Sequence, residues 1–228
     1  MGTEAGELPR IDFSGVDTSA PGTGRWDAVR AEVMDALATF GCFDAHYPAL
    51  APAQRAALFD GAVRPLFALP ADAKRRNHYG PSKPLHGYLG GLPGLHAYES
   101  LAVVDGPEPG AVQAFADLMF PAADNAAFCE IVHGAAARMA ELEWAAWSND
   151  RVHAPFHRIS VGGDATRYSA ILFSVPGGPT IRAPDELVDE AGGHPRRFRD
   201  YDYDEFVRFC VSEEGARHED KLKAYCGV

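Results

Sequence analysis

The sequence has little positive charge and no long hydrophobic run. Its 228 residues contain 21 Lys and Arg against 32 Asp and Glu, which gives a formal net charge of −11. Because nucleic acids and anionic membranes are bound through basic surfaces, this balance argues against both as partners. No apolar run approaches the roughly 18 residues of a transmembrane helix, and the first residues have no apolar segment typical of a signal peptide. A small molecule is the expected kind of partner, and the oligomeric state stays open.

Cysteine is also scarce. Cys42, Cys129, Cys210 and Cys226 lie far apart and form no CxxC motif. Such spacing is typical of reduced thiols in a cytosolic protein rather than of a disulfide framework or a zinc site. We therefore expect a cytoplasmic protein whose cysteines hold no metal.

The composition is that of a globular protein, with 46% hydrophobic and 23% charged residues. The length allows one good-sized domain or two small ones. Apolar residues recur at helical spacing, and Gly41 is suited to end the first helix. The predicted helices cover residues 26–40, 52–67, 108–121, 125–147, 183–193 and 200–226. A strand is predicted over residues 8–13 and a strand with a turn over residues 42–50.

Residues 79–100 are rich in Gly, Pro and aromatic side chains and show no clear period. This composition predicts an ordered functional loop or a lid rather than a linker. Elsewhere the sequence contains no internal repeat and no low-complexity tract.

The segment HAPFHRISVGGDATRYSAILF, residues 153–173, predicts two adjacent strands joined at Gly162-Gly163-Asp164. His157 lies on one face of the first strand, and Arg167 and Ser169 share one face of the second. A loop of three or five residues places these side chains on the same face of the hairpin. A loop of two or four residues places them on opposite faces.

In the first of these registers, the shared face carries an imidazole, a guanidinium and a hydroxyl. Arg167 is suited to hold a carboxylate through two parallel hydrogen bonds, and Ser169 can donate a further bond to the same anion. His157 belongs to the residue type that commonly binds iron(II) or zinc. The alternative is a partly exposed polar face on an edge hairpin, and the hairpin alone does not decide between the two.

A series of segments along the chain occurs in an order typical of one enzyme family. They read RIDFSG, FGCFDAHYPAL, LFALPADAKRRN, the GY and YES of residues 87–100, VQAFADLMFP, WSNDRVHAPFHR, RYSAILFSVP, APDELVDE and HPRRFRDYDYDEF. Together they cover nearly all of the chain. On these segments the chain resembles the plant iron(II)/2-oxoglutarate-dependent dioxygenases, in the branch of the AOP-like and auxin-oxidase-like enzymes.

The resemblance implies an α+β fold with a helical N-terminal region, an incomplete jelly roll (double-stranded β-helix) and C-terminal helices. Residues 1–143 correspond to the mostly helical region, and residues 144–228 to the C-terminal part of the core. In this family a His-x-Asp pair and a later histidine hold iron(II), and an Arg-x-Ser binds the distal carboxylate of 2-oxoglutarate. His157 matches the later histidine, and Arg167 and Ser169 match the Arg-x-Ser. The implied cofactors are Fe(II) and 2-oxoglutarate.

The segment that should carry the His-x-Asp pair has no counterpart. In the family it lies between the Ala-rich helix and WSNDR, but MAELE at residues 139–143 runs directly into WAAWSND. If about six strands at the usual spacing are absent, the gap is on the order of 50–70 residues or somewhat more. His157 is then the single remaining metal ligand, and no catalytic residue is predicted.

One His-x-Asp string does occur, at His218-Glu219-Asp220, but it follows the Arg-x-Ser and lies in a predicted helix. Residues i and i+2 of a helix point in directions about 200° apart, so we expect a solvated charged surface there. His78, His86 and His96 have no carboxylate two residues further on.

The resemblance implies oxidation or hydroxylation of a small organic molecule, with 2-oxoglutarate decarboxylated to succinate. One imidazole does not hold iron(II) against water and cellular chelators, so we expect this chain to be inactive. The alternative is a non-catalytic product, such as a truncated isoform or gene-model product, that acts if at all as an interaction protein. A third hypothesis is a dicarboxylate-binding protein that uses Arg167 and Ser169.

Overall fold

The computed structural model describes residues 7–17, 20–92, 95–140, 165–173, 178 and 180–228. Their helices are α1 (Trp26–Thr39), α2 (Pro52–Ala56), α3 (Arg64–Ala68), α4 (Ala71–Lys74), α5 (Pro109–Met119), α6 (Ala126–Ala140), α7 (Tyr203–Val211) and α8 (Lys221–Cys226). A π-helical segment, Ala57–Val63, joins α2 to α3, and 3-10 turns lie at Asp185–Leu187 and Gly215–Arg217. Among the described helices, none is long and apolar enough to cross a lipid bilayer.

The described strands are short and pair in twos. They are β1 (Arg10–Asp12), β2 (Asp44–His46), β3 (Leu89–Leu92), β4 (Leu95–Ser100), β5 (Thr180–Ile181) and β6 (Tyr201–Asp202). β1 and β2 are parallel, with Arg10 opposite Asp44. β3 with β4, and β5 with β6, are antiparallel. The α+β class predicted from the sequence is confirmed.

The chain divides into two compact units. The described residues up to 51, 165–167 and 183–197 belong to the first unit. The described residues of 52–140, 168–182 and 198–228 belong to the second. The division at residues 143 and 144 that the sequence suggests follows the family's regions rather than these contacts, and it stays a prediction.

In the first unit, α1 follows the sequence prediction closely. Its buried positions Val29, Val33 and Ala36 recur at intervals of four and three residues, as one face of a helix requires. The helix ends where Gly41 takes a φ of +72°, the left-handed conformation that glycine adopts without strain. The predicted end of the helix is therefore confirmed.

In the second unit, the core lies between the π-helical segment, α3, α5 and α6. The buried side chains of this core are Leu58, Ala62, Val63, Leu66, Val112, Phe115, Ala116, Met119, Phe128 and Ala135. Gly61 permits the close approach of α6, because a Cβ at that position would lie 3.0 Å from Ile131 Cδ1. Helical spacing of apolar residues in 52–67, 108–121 and 125–147 indicated each of these helices.

Residues 165–173, which were predicted to form a strand, have no regular secondary structure. A strand exists through the ladder of hydrogen bonds with a neighbouring strand, and residue alternation alone cannot supply that neighbour. The strand predicted immediately before it, with His157, lies outside the described residues.

Two further segments also differ from the sequence prediction. The helix expected over residues 183–193 is reduced to a 3-10 turn, after which Asp189 and His194 exchange two backbone hydrogen bonds of 2.7 Å. The segment 79–100 contains the antiparallel pair β3–β4 rather than a loop alone. Its Gly-rich composition masked the alternation that normally indicates strands.

The backbone at Gly87 lies directly against the backbone at Asn77. The Tyr88 amide donates to the Asn77 carbonyl oxygen at 2.8 Å, which brings residues 77 and 87 into contact. Gly87 has a φ of +100°, and a Cβ there would lie 2.5 Å from that same oxygen. Only glycine fits this contact.

We expect Gly87→Ala to lower the free energy of unfolding by about 2–4 kcal/mol, because the new methyl group meets a carbonyl oxygen that is fixed by a hydrogen bond. Urea denaturation followed by circular dichroism measures the loss. The matched control is Gly80→Ala, where φ is +77° but no atom lies within 4 Å. It should lose only about 1–2 kcal/mol. Equal losses in the two variants would contradict this account of Gly87.

Candidate functional site

The described residues include part of the site predicted from the sequence. Arg167 and Ser169 are both exposed and lie in a segment without regular secondary structure. The boundary between the two compact units falls between Arg167 and Tyr168. His157 lies outside the described residues. The assignment of a carboxylate to Arg167 and Ser169, and of a metal to His157, stays a prediction.

Tyr168 is the side chain of this segment that packs against the core of the second unit. Its ring centroid lies 6.1 Å from that of Phe67, and the Arg64 guanidinium carbon lies 4.9 Å from the ring centroid. Ile171 and Phe173 are instead 61% and 77% exposed. Large apolar side chains are therefore left uncovered in the segment that was predicted to be a core strand.

His, Cys, Asp and Glu are the residues that could supply a metal site. Within the described ranges, no three of these residues lie close enough together to hold a metal ion. The His218-Glu219-Asp220 string is not helical as predicted, but lies between a 3-10 turn and α8. The Asp220 carboxylate accepts a hydrogen bond from the Lys223 amide at 3.0 Å, and the His218 ring stacks 6.2 Å from Phe209. Both side chains thus have structural roles.

The most enclosed charge among the described residues is a lysine that the sequence analysis did not select. The Lys74 side chain is 6% exposed, and its ammonium lies 2.7 Å and 2.8 Å from the two carboxylate oxygens of Glu99. It also donates to the Phe67 carbonyl oxygen at 3.2 Å. The Tyr88 hydroxyl donates a short hydrogen bond to Glu99. We call Lys74, Tyr88 and Glu99 the Lys74 cluster.

The electrostatics of the Lys74 cluster favour one protonation state. The hydrogen bond from Lys74, and then that from Tyr88, lower the pKa of Glu99 below its ordinary value. The hydrogen bond to Glu99, together with burial and the charge of Glu99, raises the pKa of Tyr88. At neutral pH the carboxylate is therefore ionised and the phenol is protonated.

The Lys74 cluster has no spare donor on its ammonium. A lysine ammonium has three N–H groups, and here three oxygens, two of Glu99 and one of Phe67, surround it. The cluster therefore joins the end of α3, α4 and the β3–β4 hairpin, and it is structural rather than catalytic. One signal for it was present in the sequence, since Lys74 and Glu99 lie in two family-matching segments, LFALPADAKRRN and YES.

We expect Lys74→Met and Glu99→Gln to be coupled. Each substitution leaves the other partner without its counter-charge, so a double-mutant cycle should give a coupling of about 1–3 kcal/mol in the free energy of unfolding. The matched control is the exposed pair Arg75 and Asp72, which also forms an ion pair. The cycle with Arg75→Met and Asp72→Asn should give about 0.5 kcal/mol or less. A coupling equally small at Lys74 would show that its burial contributes nothing.

The lowered pKa of Glu99 predicts a dependence of stability on pH. A carboxylate whose pKa is lower in the folded state contributes its full stabilisation above its unfolded pKa, about 4.3, and loses it as the pH falls through the folded value. The free energy of unfolding should therefore fall below about pH 4. In Glu99→Gln this fall should be shallower, as measured by urea denaturation between pH 2.5 and 6. An unchanged acid profile in that variant would contradict the prediction.

The chain is similar in sequence to several plant dioxygenases. No protein-family model matches it. It is 27% identical over 317 aligned positions to a probable 2-oxoglutarate-dependent dioxygenase, AOP1.2, of Arabidopsis thaliana, with 96% of this chain and 95% of that protein covered. Over 82 residues, 35% of this chain, it is 45% identical to the 2-oxoglutarate-dependent dioxygenase AOP2 of the same plant, of which 18% is covered.

The AOP1.2 alignment is longer than this chain. Because 96% of 228 residues is about 219, about 98 of the 317 positions have no residue of this chain. Those positions are present in the relative and absent here.

A solved structure gives the fold. The rice dioxygenase for auxin oxidation superposes with a TM-score of 0.66 and 24% identity, over 96% of this chain and 99% of that one. The chain therefore shares the fold of a 2-oxoglutarate oxygenase. The Arabidopsis relatives are 2-oxoglutarate-dependent dioxygenases and the rice structure is a dioxygenase for auxin oxidation, so both comparisons support the resemblance to the plant dioxygenases of the AOP- and DAO-like family.

Proposed function

We propose that the chain derives from an enzyme that oxidises or hydroxylates a small organic molecule with iron(II) and 2-oxoglutarate, and that this chain does not itself catalyse the reaction. The observation that carries the proposal is that about 98 positions of the AOP1.2 alignment, summed over its length, have no residue of this chain. This number exceeds the 50–70 residues expected from about six missing strands. A loss of this many residues is large enough to include half of a jelly roll together with its His-x-Asp pair.

The donor set supports the same conclusion. Iron(II) in this family is held by two histidines and one carboxylate, and His157 is the residue that matches the later histidine. The sequence contains a single His-x-Asp string, His218 to Asp220, and the carboxylate of Asp220 is engaged at the start of α8. The residues present do not fit an iron centre, so no step of oxygen chemistry is assigned to this chain.

The second candidate function is dicarboxylate binding without a metal. The exposure of Arg167 and Ser169 favours it in one respect, because neither side chain is covered by the protein. It is disfavoured in another, because an exposed guanidinium binds anions weakly through water. A thermal-shift measurement with millimolar 2-oxoglutarate tests it, with Arg167→Ala as the matched variant. A shift in the unaltered chain that disappears in the variant would support binding.

The proposal includes the partners and the location expected from the sequence. The net charge of −11 supports neither nucleic acid nor an anionic membrane as a partner. A small organic molecule is the partner class that the family supports. The free state of Cys42, Cys129, Cys210 and Cys226 supports a cytoplasmic location.

We expect no catalysis by the purified chain. Under anaerobic titration it should bind much less than one equivalent of iron(II), and with oxygen it should form no succinate from 2-oxoglutarate above a protein-free blank. His157→Ala should behave identically, because one imidazole does not retain the metal. A 2-oxoglutarate dioxygenase with a complete ligand triad is the positive control. One equivalent of iron that is lost in His157→Ala would overturn the proposal.

The origin of the gap has its own test. If the chain is a truncated product, the transcript should show a skipped exon or a displaced splice boundary between the codons for Glu143 and Trp147. A genomic sequence that is continuous and intron-free across these codons would instead indicate a deletion in the gene.

A further inference from the structure

A pocket of about 320 Å³ lies on the second unit, at the edge of α5 that faces residues 77–79 and residues 104 and 105. This volume is at the lower end of the range for small-molecule sites. The pocket is formed entirely by residues that precede the gap, and none of them belongs to the predicted iron or 2-oxoglutarate site.

The apolar side of the pocket is a second stripe on α5. Val112, Ala116 and Met119 face the core and are buried. Ala111, Ala114 and Leu118 line the pocket instead, and they recur at intervals of three and four residues, which is the spacing of one helix face. Leu118 is 38% exposed. A surface helix needs one apolar face for the core, and this stripe lies directly beside that face, with Phe115 contributing to both the core and the pocket.

A buried amide supplies a hydrogen-bond donor at the pocket. Asn77 is 2% exposed and lines the pocket. Its Oδ1 accepts from the Ala102 amide at 3.3 Å, which fixes the orientation of the side chain because only the oxygen can accept. The amide nitrogen Nδ2 has no hydrogen-bond partner among the described residues, and it is not one of the fully enclosed polar atoms, so it is accessible from the pocket. An acceptor on a ligand would satisfy it.

The Asp105 carboxylate supplies a negative charge at the pocket. Asp105 lines the same pocket and forms no ion pair within the part of the chain that the structure describes. Its φ of +56° is the one positive value of a described non-glycine residue, and its backbone oxygen accepts from the Glu108 amide at 2.7 Å. The side chain is thus held on a tight turn at the rim of the pocket.

We propose that this pocket binds a small amphipathic amine. The ligand has an aromatic or branched apolar body that contacts the α5 stripe, a protonated amine that pairs with Asp105, and a carbonyl or hydroxyl oxygen that accepts from Asn77 Nδ2. The exposed Asp105 carboxylate favours amines over small organic anions in this class. The pocket does not depend on iron, 2-oxoglutarate or turnover. A failed binding test would therefore leave the proposed function unaffected, and the reverse also holds.

The test uses L-phenylalaninamide, which carries a ring, a protonated amine and a carbonyl oxygen. Titration into the ¹⁵N-labelled full chain should shift the amide resonances of Asn77, Tyr79 and Ala114, with a dissociation constant in the low millimolar range, about 1–5 mM for a ligand of this size. N-acetyl-L-phenylalanine, which keeps the ring and a carbonyl but is anionic, should cause no shifts at the same concentrations. Equal binding of the two probes, or no binding of the amine, would overturn the proposal.

Two pairs of variants locate the site. Asp105→Asn keeps a residue that tolerates positive φ and removes the charge, so it should weaken binding by about three- to fivefold. Glu108→Gln, on the same turn but outside the pocket, should leave binding unchanged. Ala114→Leu fills the pocket and should abolish binding. Ala127→Leu, the same change at an exposed position of α6, should not. Binding that survives both Asp105→Asn and Ala114→Leu places the ligand elsewhere and refutes the assignment.

Discussion

The buried ammonium of Lys74 is the constraint around which the second unit is organised. A charge with 6% of its side chain exposed is tolerated only when oxygens replace its water. Those oxygens come from the end of α3 and from the β3–β4 hairpin. The helices and the hairpin therefore have one relative arrangement in which this charge is satisfied. Gly87, which allows the backbone contact beside it, is required by the same arrangement.

The predicted dioxygenase site illustrates the opposite situation. Its residues come from strands, and a strand requires a neighbour for every backbone donor and acceptor. Arg167 and Ser169 lie in a segment that makes no such ladder with the part of the chain that the structure describes, and they are exposed. A metal centre is more demanding still, because its ligands must converge from different strands within bonding distance. The helices α3, α5 and α6, by contrast, pack on a shared apolar core.

Sequence reasoning was most successful where one local pattern is sufficient. The spacing of Val29 and Val33 indicated α1, and Gly41 indicated its end. It was wrong where the outcome depends on distant partners. The segment over residues 165–173 alternates as a strand should and yet pairs with no strand among the described residues. The burial of Lys74 was not predicted, because its partner Glu99 lies 25 residues away.

The sequence by itself determined the resemblance to the dioxygenase family, the helices of the N-terminal half and the absence of an upstream His-x-Asp pair. The order of motifs, the spacing of apolar residues and residue identity are all properties of the linear chain. Only the tertiary structure decided which charge is buried, where a pocket opens beside α5, and that Asn77 retains a free amide donor there. These features depend on which segments meet in space, and the free energy of burying or pairing a group is set by those neighbours rather than by the residue itself.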